Sequence, residues 1–474
     1  MSLQAGKETI YKAGFQRDIE KSNQPDWLID LRNRAFDYFT ENGFPTTKDE
    51  EWKYTDVASL VSSEFSFQSS KSEPPVLAGG SNADISELLR EIETENSLVF
   101  VDGTLNEELT SLADLPEGAK VTSFAEAVEV EAFKEHLAQS VEFDFNGFTA
   151  LNTAFVKEGV FIHVPKNVKI ETPIHLVFIG DKETANFARV LYVGETGSEA
   201  EIIEHYTRVT LPSRRLSGQR LADDDDASTG RTLDSHREGG GTLYAKYFTN
   251  AVVEIDLADN AKLTHTRVQR ESHSAFHVVT ANTNLGRTSV YDNTNINLGA
   301  KLSRHDLNLS FNEEGGESWI DGLYLVEDGQ HMDTHSRIDH RVKNCISHQN
   351  YKGILDGKSR AVFNGKVFVH KNASGTDANQ SNKNLLLSND ARVDTKPQLE
   401  IFNDDVKCAH GATVGQLEDE ELFYLLSRGL NEDLARNLLT YGFAEEIINK
   451  IEIPSIKKQL DEAVLNRLHA RLEA

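Results

Sequence analysis

Cysteine, tryptophan, methionine and positive charge are all scarce in this chain. Its two cysteines, Cys345 and Cys408, lie far apart and lack CxxC spacing, so a disulfide framework or a self-contained cysteine metal site is excluded. The first residues, Met1 to Tyr11, have no apolar signal-peptide centre, and a reducing, cytoplasmic setting is expected. No run approaches the roughly 18 apolar residues of a membrane helix, and the mean hydropathy is -0.46, so no membrane partner is expected. Lys and Arg number 49 against 76 Asp and Glu, for a formal charge of -27. That field repels phosphate backbones and makes nucleic acid an unsuitable general partner. The GxxxxGK phosphate loop, HExxH and the GxSxG elbow are absent as well. No catalytic residue is assigned, and the chain is read as a non-enzyme.

What is present falls into three regions, taken as 1–148, 149–414 and 415–474. In the first, Trp27, Leu28, Leu31, Ala35, Phe36 and Phe39 recur at helical spacing after Pro25-Asp26, and Asn42-Gly43 stops the helix. Shorter mixed segments follow, as in a small α/β domain. From about residue 150 the period changes to 2: Val253/Ile255/Leu257, Leu307/Leu309/Phe311 and Leu399/Ile401 alternate with polar neighbours. The middle of the chain is therefore mainly β.

A weak echo sets a small residue before a basic one as strands begin, at Ala261-Lys262, Ala300-Lys301, Gly357-Lys358 and Ala391-Arg392. Irregular separations argue against a propeller and fit a degenerate β-solenoid, with a jelly-roll sandwich as the alternative. Residues 212–241 interrupt the pattern with Pro-Ser-Arg-Arg, Asp223 to Asp226 and Gly239 to Gly241; too few apolar groups are present to offset ordering, so a mobile surface insertion is expected.

The last region is helical. Glu418 to Glu421 form an acidic first turn, Leu422, Phe423, Leu425 and Leu426 an apolar face, and Arg428-Gly429 the stop. Asn431 caps a second helix through Leu434, Ala435, Leu438 and Leu439, expected to end at Gly442. A third run starts near Ala444, and Pro454-Ser455 opens a final amphipathic helix with Ile456, Leu460 and Val464.

Two constellations carry potential chemistry. His331, His335, His340 and His348 crowd around Cys345, but strand alternation scatters them over two faces and several rungs, which suits hydrogen bonding better than a closed zinc site. Cys408 and His410, two apart on a strand, project to one face, where imidazole and thiolate suit a soft metal. Two ligands do not complete a four-coordinate site, so the rest must come from another chain.

Several motifs together are similar to one known family. They are Glu51-Trp52-Lys53-Tyr54-Thr55, Val362-Phe363-Asn364-Gly365-Lys366, Thr376-Asp377-Ala378-Asn379-Gln380, Pro397-Gln398-Leu399-Glu400-Ile401, Lys407-Cys408-Ala409-His410-Gly411-Ala412-Thr413 and Leu422-Phe423-Tyr424-Leu425-Leu426-Ser427-Arg428-Gly429. The chain resembles the SufB/SufD family of iron-sulfur cluster assembly proteins. That resemblance implies a right-handed parallel β-helix between an N-terminal α/β domain and a C-terminal helical domain. It also implies a SufB–SufD heterodimer in which each member carries one SufC ATPase on its C-terminal helices, here through Leu422, Phe423, Tyr424, Leu425, Arg428 and Gly429. Cys408 and His410 would lie at the heterodimer interface and meet iron or the nascent cluster transiently, only in the complex. No tightly bound cofactor is expected in the isolated chain, which could pair with itself. The Cys408 segment and the two-cysteine count resemble the SufD type; a SufB-like primary scaffold, a carbohydrate-active β-helix enzyme and a histidine-based metal binder are the alternatives. The insertion at 212–241 departs from the family pattern.

Overall fold

From Val160 to Gly415 the chain passes back and forth between two sheets. One runs through Ile174–Gly180, Glu199–Arg208, Lys262–Arg270, Val290–Asn297, Glu317–Val326, Ile346–Leu355, Thr376–Leu386 and Val406–Gly415. The other runs through Val160–Val164, Ala185–Gly194, Phe248–Leu257, Phe276–Leu285, Leu302–Phe311, His331–His340, Arg360–Val369 and Arg392–Ile401. Neighbours within each sheet are parallel, which makes the body a β-helix and rules out the antiparallel jelly roll. The computed structural model describes residues 3–66, 85–86, 89–90, 92, 96–113, 115–180, 183–208 and 246–467; the insertion expected at 212–241 lies outside them.

Register stacks like positions in columns. Leu257, Leu285, Phe311, His340, Val369 and Ile401 follow one another across the second sheet. All are buried but the last, Ile401, which has no strand beyond it and is 38% exposed. The small-before-basic echo marks the corners between sheets. Asn260 and Ala300 take φ of 58° and 67°, and at Gly357, φ 57°, a Cβ would meet Asp328 Oδ1 at 2.1 Å. A left-handed residue turns the chain there, and the next residues re-enter a strand.

The inward face of the first sheet is strongly polar and carries many internal hydrogen bonds. His265 bridges Glu204 at 3.0 Å and the Tyr291 hydroxyl at 2.8 Å; farther along, Gln380 donates to Gln349 at 2.6 Å and Asn384 to Asn382 at 2.6 Å. Such hydrogen bonds offset part of the cost of burying these polar groups, and those between rungs favour the observed register.

The two ends of the β-helix differ. At the N-terminal end Thr104–Leu105 and Lys120–Ser123 pair antiparallel with Asn96–Val101 and Val160–Val164 and so terminate both sheets. Helix Gly147–Ala154 is anchored beside them by a fully buried ion pair, Arg189 to Glu254 at 2.5 Å. Arg189 also donates to Asn152 and Thr153, and Glu254 accepts the backbone N–H groups of Ala138 and Val141. Helix Asp26–Asn42 ends at Gly43, φ 67°, where the sequence places its stop.

Three helices close the chain: Asp419–Ser427, Glu432–Ile448 and Pro454–Arg467. One sequence expectation is overturned: Gly442 does not end the second helix, which runs unbroken to Ile448. A helical glycine costs only about 1 kcal/mol relative to alanine. Ala444, Ile447 and Ile448, all fully buried, continue the stripe begun by Ala435, and their burial outweighs that cost.

Candidate functional site

At the C-terminal end of the β-helix each sheet stops in a ten-residue strand, Arg392–Ile401 or Val406–Gly415, paired on its inner edge and, among the described residues, unpaired on its outer one. Among the described residues nothing stacks on them, and their burial is far lower than that of any rung before. Unpaired strand edges are templates for another chain. Ile401, Phe402 and Val414 are exposed there at 38, 54 and 48%. Pro397 lies on this edge strand, where a residue without an N–H is tolerated.

Cys408 and His410 occupy this rung. Cys408 is in register with Ala378 and His410 with Gln380, both buried and inward-facing, so the cysteine and histidine share the inward face as their spacing predicts. Cys408 is half-buried against the core and His410 is exposed, because no further rung covers it. Burial raises the Cys408 pKa, with a smaller opposing contribution from a backbone hydrogen bond at Ala378. The thiol therefore keeps its proton at neutral pH. The other cysteine, Cys345, is fully buried and donates its S–H to the Lys343 carbonyl at 3.3 Å.

The histidines around Cys345 do not converge. His331 and His335 face outward, His340 faces the core and shares a hydrogen bond with Ser347 at 2.8 Å, and His348, on the first sheet, stacks on its same-sheet neighbour Trp319 at 4.6 Å. Among the described residues no three His, Cys, Asp or Glu side chains form a metal-holding group. The outward pair instead grips the Glu51-Trp52-Lys53-Tyr54-Thr55 segment. Thr55 donates to Asp333 at 2.5 Å, so His331 Nε2–H donates to Thr55 at 2.9 Å; His335 contacts Glu51 and Asp333 at 3.2 Å each. Arg304 lies 4.3 Å over the Trp52 ring and donates to the Glu51 carbonyl and to Asp333. Burial opposes the His335 imidazolium, but the Asp333 charge and hydrogen bonds to Asp333 and Glu51 outweigh it and push the pKa up to about 9. The N-terminal motif is thus a strap across the second sheet.

Of the helical-module candidates, Leu422 and Leu425 are half-buried, while Phe423 and Tyr424 are exposed at 71 and 56% and Leu426 at 37%. Arg428 lies 5.0 Å from the Tyr424 ring, and Gly429 takes φ 95° at the stop. Sequence reasoning treated the apolar positions as one face; the structure splits them into an inner pair and an outward patch. It also missed Lys352, buried under helix Glu432–Ile448, and the apolar rim at Ile401, Phe402 and Val414. Their alternation is that of any other rung, so only the lack of a following strand distinguishes the rim.

Residues 225–443 match the family described as "SUF system FeS cluster assembly, SufBD core domain", and residues 8–176 the SufBD protein N-terminal region. An iron-sulfur cluster assembly SufBD family protein of Synechocystis is 34% identical over 471 residues, 98% of this chain and 94% of that one. The iron-sulfur cluster assembly protein SufD of Escherichia coli is 30% identical, covering 91% and 90%. A chloroplastic protein of Arabidopsis thaliana, ABCI7, is 27% identical, covering 90% and 84%. With that extent of similarity along a two-sheeted β-helix, the chain belongs to the SufBD family of iron-sulfur cluster assembly proteins.

Proposed function

We propose that this chain is the SufD-type subunit of a SufBCD complex, a scaffold without a reaction of its own. The observation that carries this reading is the asymmetry of the β-helix: one end is terminated by antiparallel strands, and the other leaves two ten-residue edges and an apolar rim uncovered. SufB is the partner assigned to that open rung. Cys408 and His410 then face the joint, where iron or a nascent cluster is cargo and SufB supplies the remaining ligands. The similarity to Escherichia coli SufD and the presence of only two cysteines, one of them sealed in the core, favour the SufD type over a SufB-like primary acceptor of sulfur. The chain works in the cytoplasm; among the described residues no helix is long and apolar enough to cross a membrane.

SufC is assigned to the outward patch of Asp419–Ser427, with Phe423, Tyr424 and Arg428 as anchors of the type that dominates protein interfaces. Movement of the helical module on nucleotide binding by SufC then shifts the open rung and makes Cys408 and His410 accessible. The supporting connection is short: the second helix of the module packs on Ile346–Leu355, and Val406–Gly415 is two strands away in that sheet.

Co-expression with SufB and SufC paralogues, followed by purification on a single tag, tests the assignment. A stoichiometric complex is expected, with iron or cluster content lowered by Cys408→Ser and His410→Ala without loss of assembly. Failure to associate with either chain contradicts the reading. Equal SufC binding by the full chain and by a chain ending at Thr413 contradicts the role given to the helices.

A further inference from the structure

Where the N-terminal strap meets the solenoid it leaves a cleft of about 250 Å³. One wall is formed by Lys53 and Tyr54 of the strap with Thr47 and Ser59 from the segments flanking it; the other includes Lys301 and Arg360 from the β-helix. In a chain of formal charge -27, a concave site with three cations is unusual. One carboxylate, Asp56, shares the lining, and Arg360 is paired with Asp394 at 2.8 Å, so the cleft retains a local excess of one positive charge.

The two lysines are not simply neutralised surface groups. Lys53 lies 5.6 Å from the Tyr54 ring and Lys301 5.9 Å from the Phe276 ring, and among the described residues neither makes an ion pair with a carboxylate. Both ammonium groups are solvent-exposed and line the same concavity, where one anion can pair with both. The hydroxyls of Thr47, Tyr54 and Ser59 add neutral donors, and the exposed Gly329, φ 75°, brings no side chain to the lining. Donors on two walls around an unfilled space suit a tetrahedral oxyanion. The volume lies below the roughly 300–1,000 Å³ of pockets that bury drug-sized ligands, so a phosphate, pyrophosphate or short phosphate ester fits and a nucleotide does not.

We propose that the cleft lined by Lys53, Lys301, Arg360, Thr47, Tyr54 and Ser59 binds a small phosphoryl anion and thereby clamps the N-terminal strap to the β-helix. Titration calorimetry of the full chain with inorganic phosphate and with pyrophosphate, each at low and physiological salt, tests this. Glycerol 3-phosphate in a parallel titration distinguishes an ester from the free anion. Saturable one-to-one binding is expected, weakened about ten-fold or more by Lys53→Gln or Lys301→Gln and unchanged by Lys262→Gln on a distant exposed site. Asp56→Asn should act in the opposite direction and tighten binding roughly five-fold. Asn can still accept the Ala58 N–H that Asp56 accepts at 2.8 Å, so the local turn is preserved. Absence of saturable heat with all three anions, or binding indifferent to both lysine substitutions, overturns the proposal.

Discussion

Lys352 and Glu446 join the β-helix to the C-terminal module through an ion pair whose partners live in different solvents. The Lys352 side chain is 5% exposed and that of Glu446 51%. The ammonium also donates to the Phe443 carbonyl at 3.0 Å and sits 4.5 Å from the Phe443 ring, so one cation holds three groups of helix Glu432–Ile448.

That asymmetry sets the cost of breaking the pair. Glu446→Gln leaves a buried ammonium with a weaker acceptor and should loosen the helix by about 1–3 kcal/mol, whereas Lys352→Met returns Glu446 to water and should cost less than about 1 kcal/mol. Native-state hydrogen exchange of the helix amides measures the difference, and faster exchange in the lysine variant than in the glutamate variant would refute the ordering.

The strap is pH-dependent in a defined direction. His335 is pushed up to about 9 in the folded chain, from an ordinary value near 6.5. Its contribution is therefore complete below pH 6.5 and is lost as pH rises through about 9, on the order of 3 kcal/mol in all. Exchange at 50–55 should accelerate over that window, and His335→Gln should flatten the dependence.

An opposite dependence comes from His175 and His205, stacked with ring centroids 5.3 Å apart and hydrogen-bonded at 3.1 Å. Burial lowers His175 to about 4 and His205 in the same direction. The unfolded chain takes up their protons first, so stability should fall as pH drops from 6.5 toward 4. His175→Phe should reduce that acid sensitivity in thermal melts recorded across the window.

Gly353 on the inward face of an interior rung and Gly411 on the outward face of the last rung differ in the room around them. At Gly353 a Cβ would meet the Tyr324 ring at 2.1 Å, while at Gly411 nothing lies within 4 Å. Gly353→Ala should destabilise by about 1–3 kcal/mol or more through overpacking. Gly411→Ala should leave the isolated chain's melting unchanged and weaken its pairing with SufB. Similar melting losses in both variants would mean that Gly411 is packed in the isolated chain and would contradict an open outer surface there.

Much of this was legible from residues alone. Period-2 alternation located the strands, and the spacing of Cys408 and His410 gave their common face before any neighbour was known. Local rules failed where distant burial decides, as at Gly442, where Ala444 and Ile447 carry the helix through a breaker. Pairs such as Arg304 with Asp333 or Lys352 with Glu446 depend on how rungs and helices stack, which no local pattern encodes. The open end was hidden for a related reason: Val406, Cys408, Ala412 and Val414 alternate like any interior rung.

Hydrogen–deuterium exchange at 406–415, with the chain alone and mixed with SufB, addresses the central assignment most directly. Fast exchange in the free chain and strong protection in the mixture, extending to 392–401, are the outcome predicted for an open rung that SufB completes. Equal exchange in the two samples, with protection absent or confined to another surface, would contradict it.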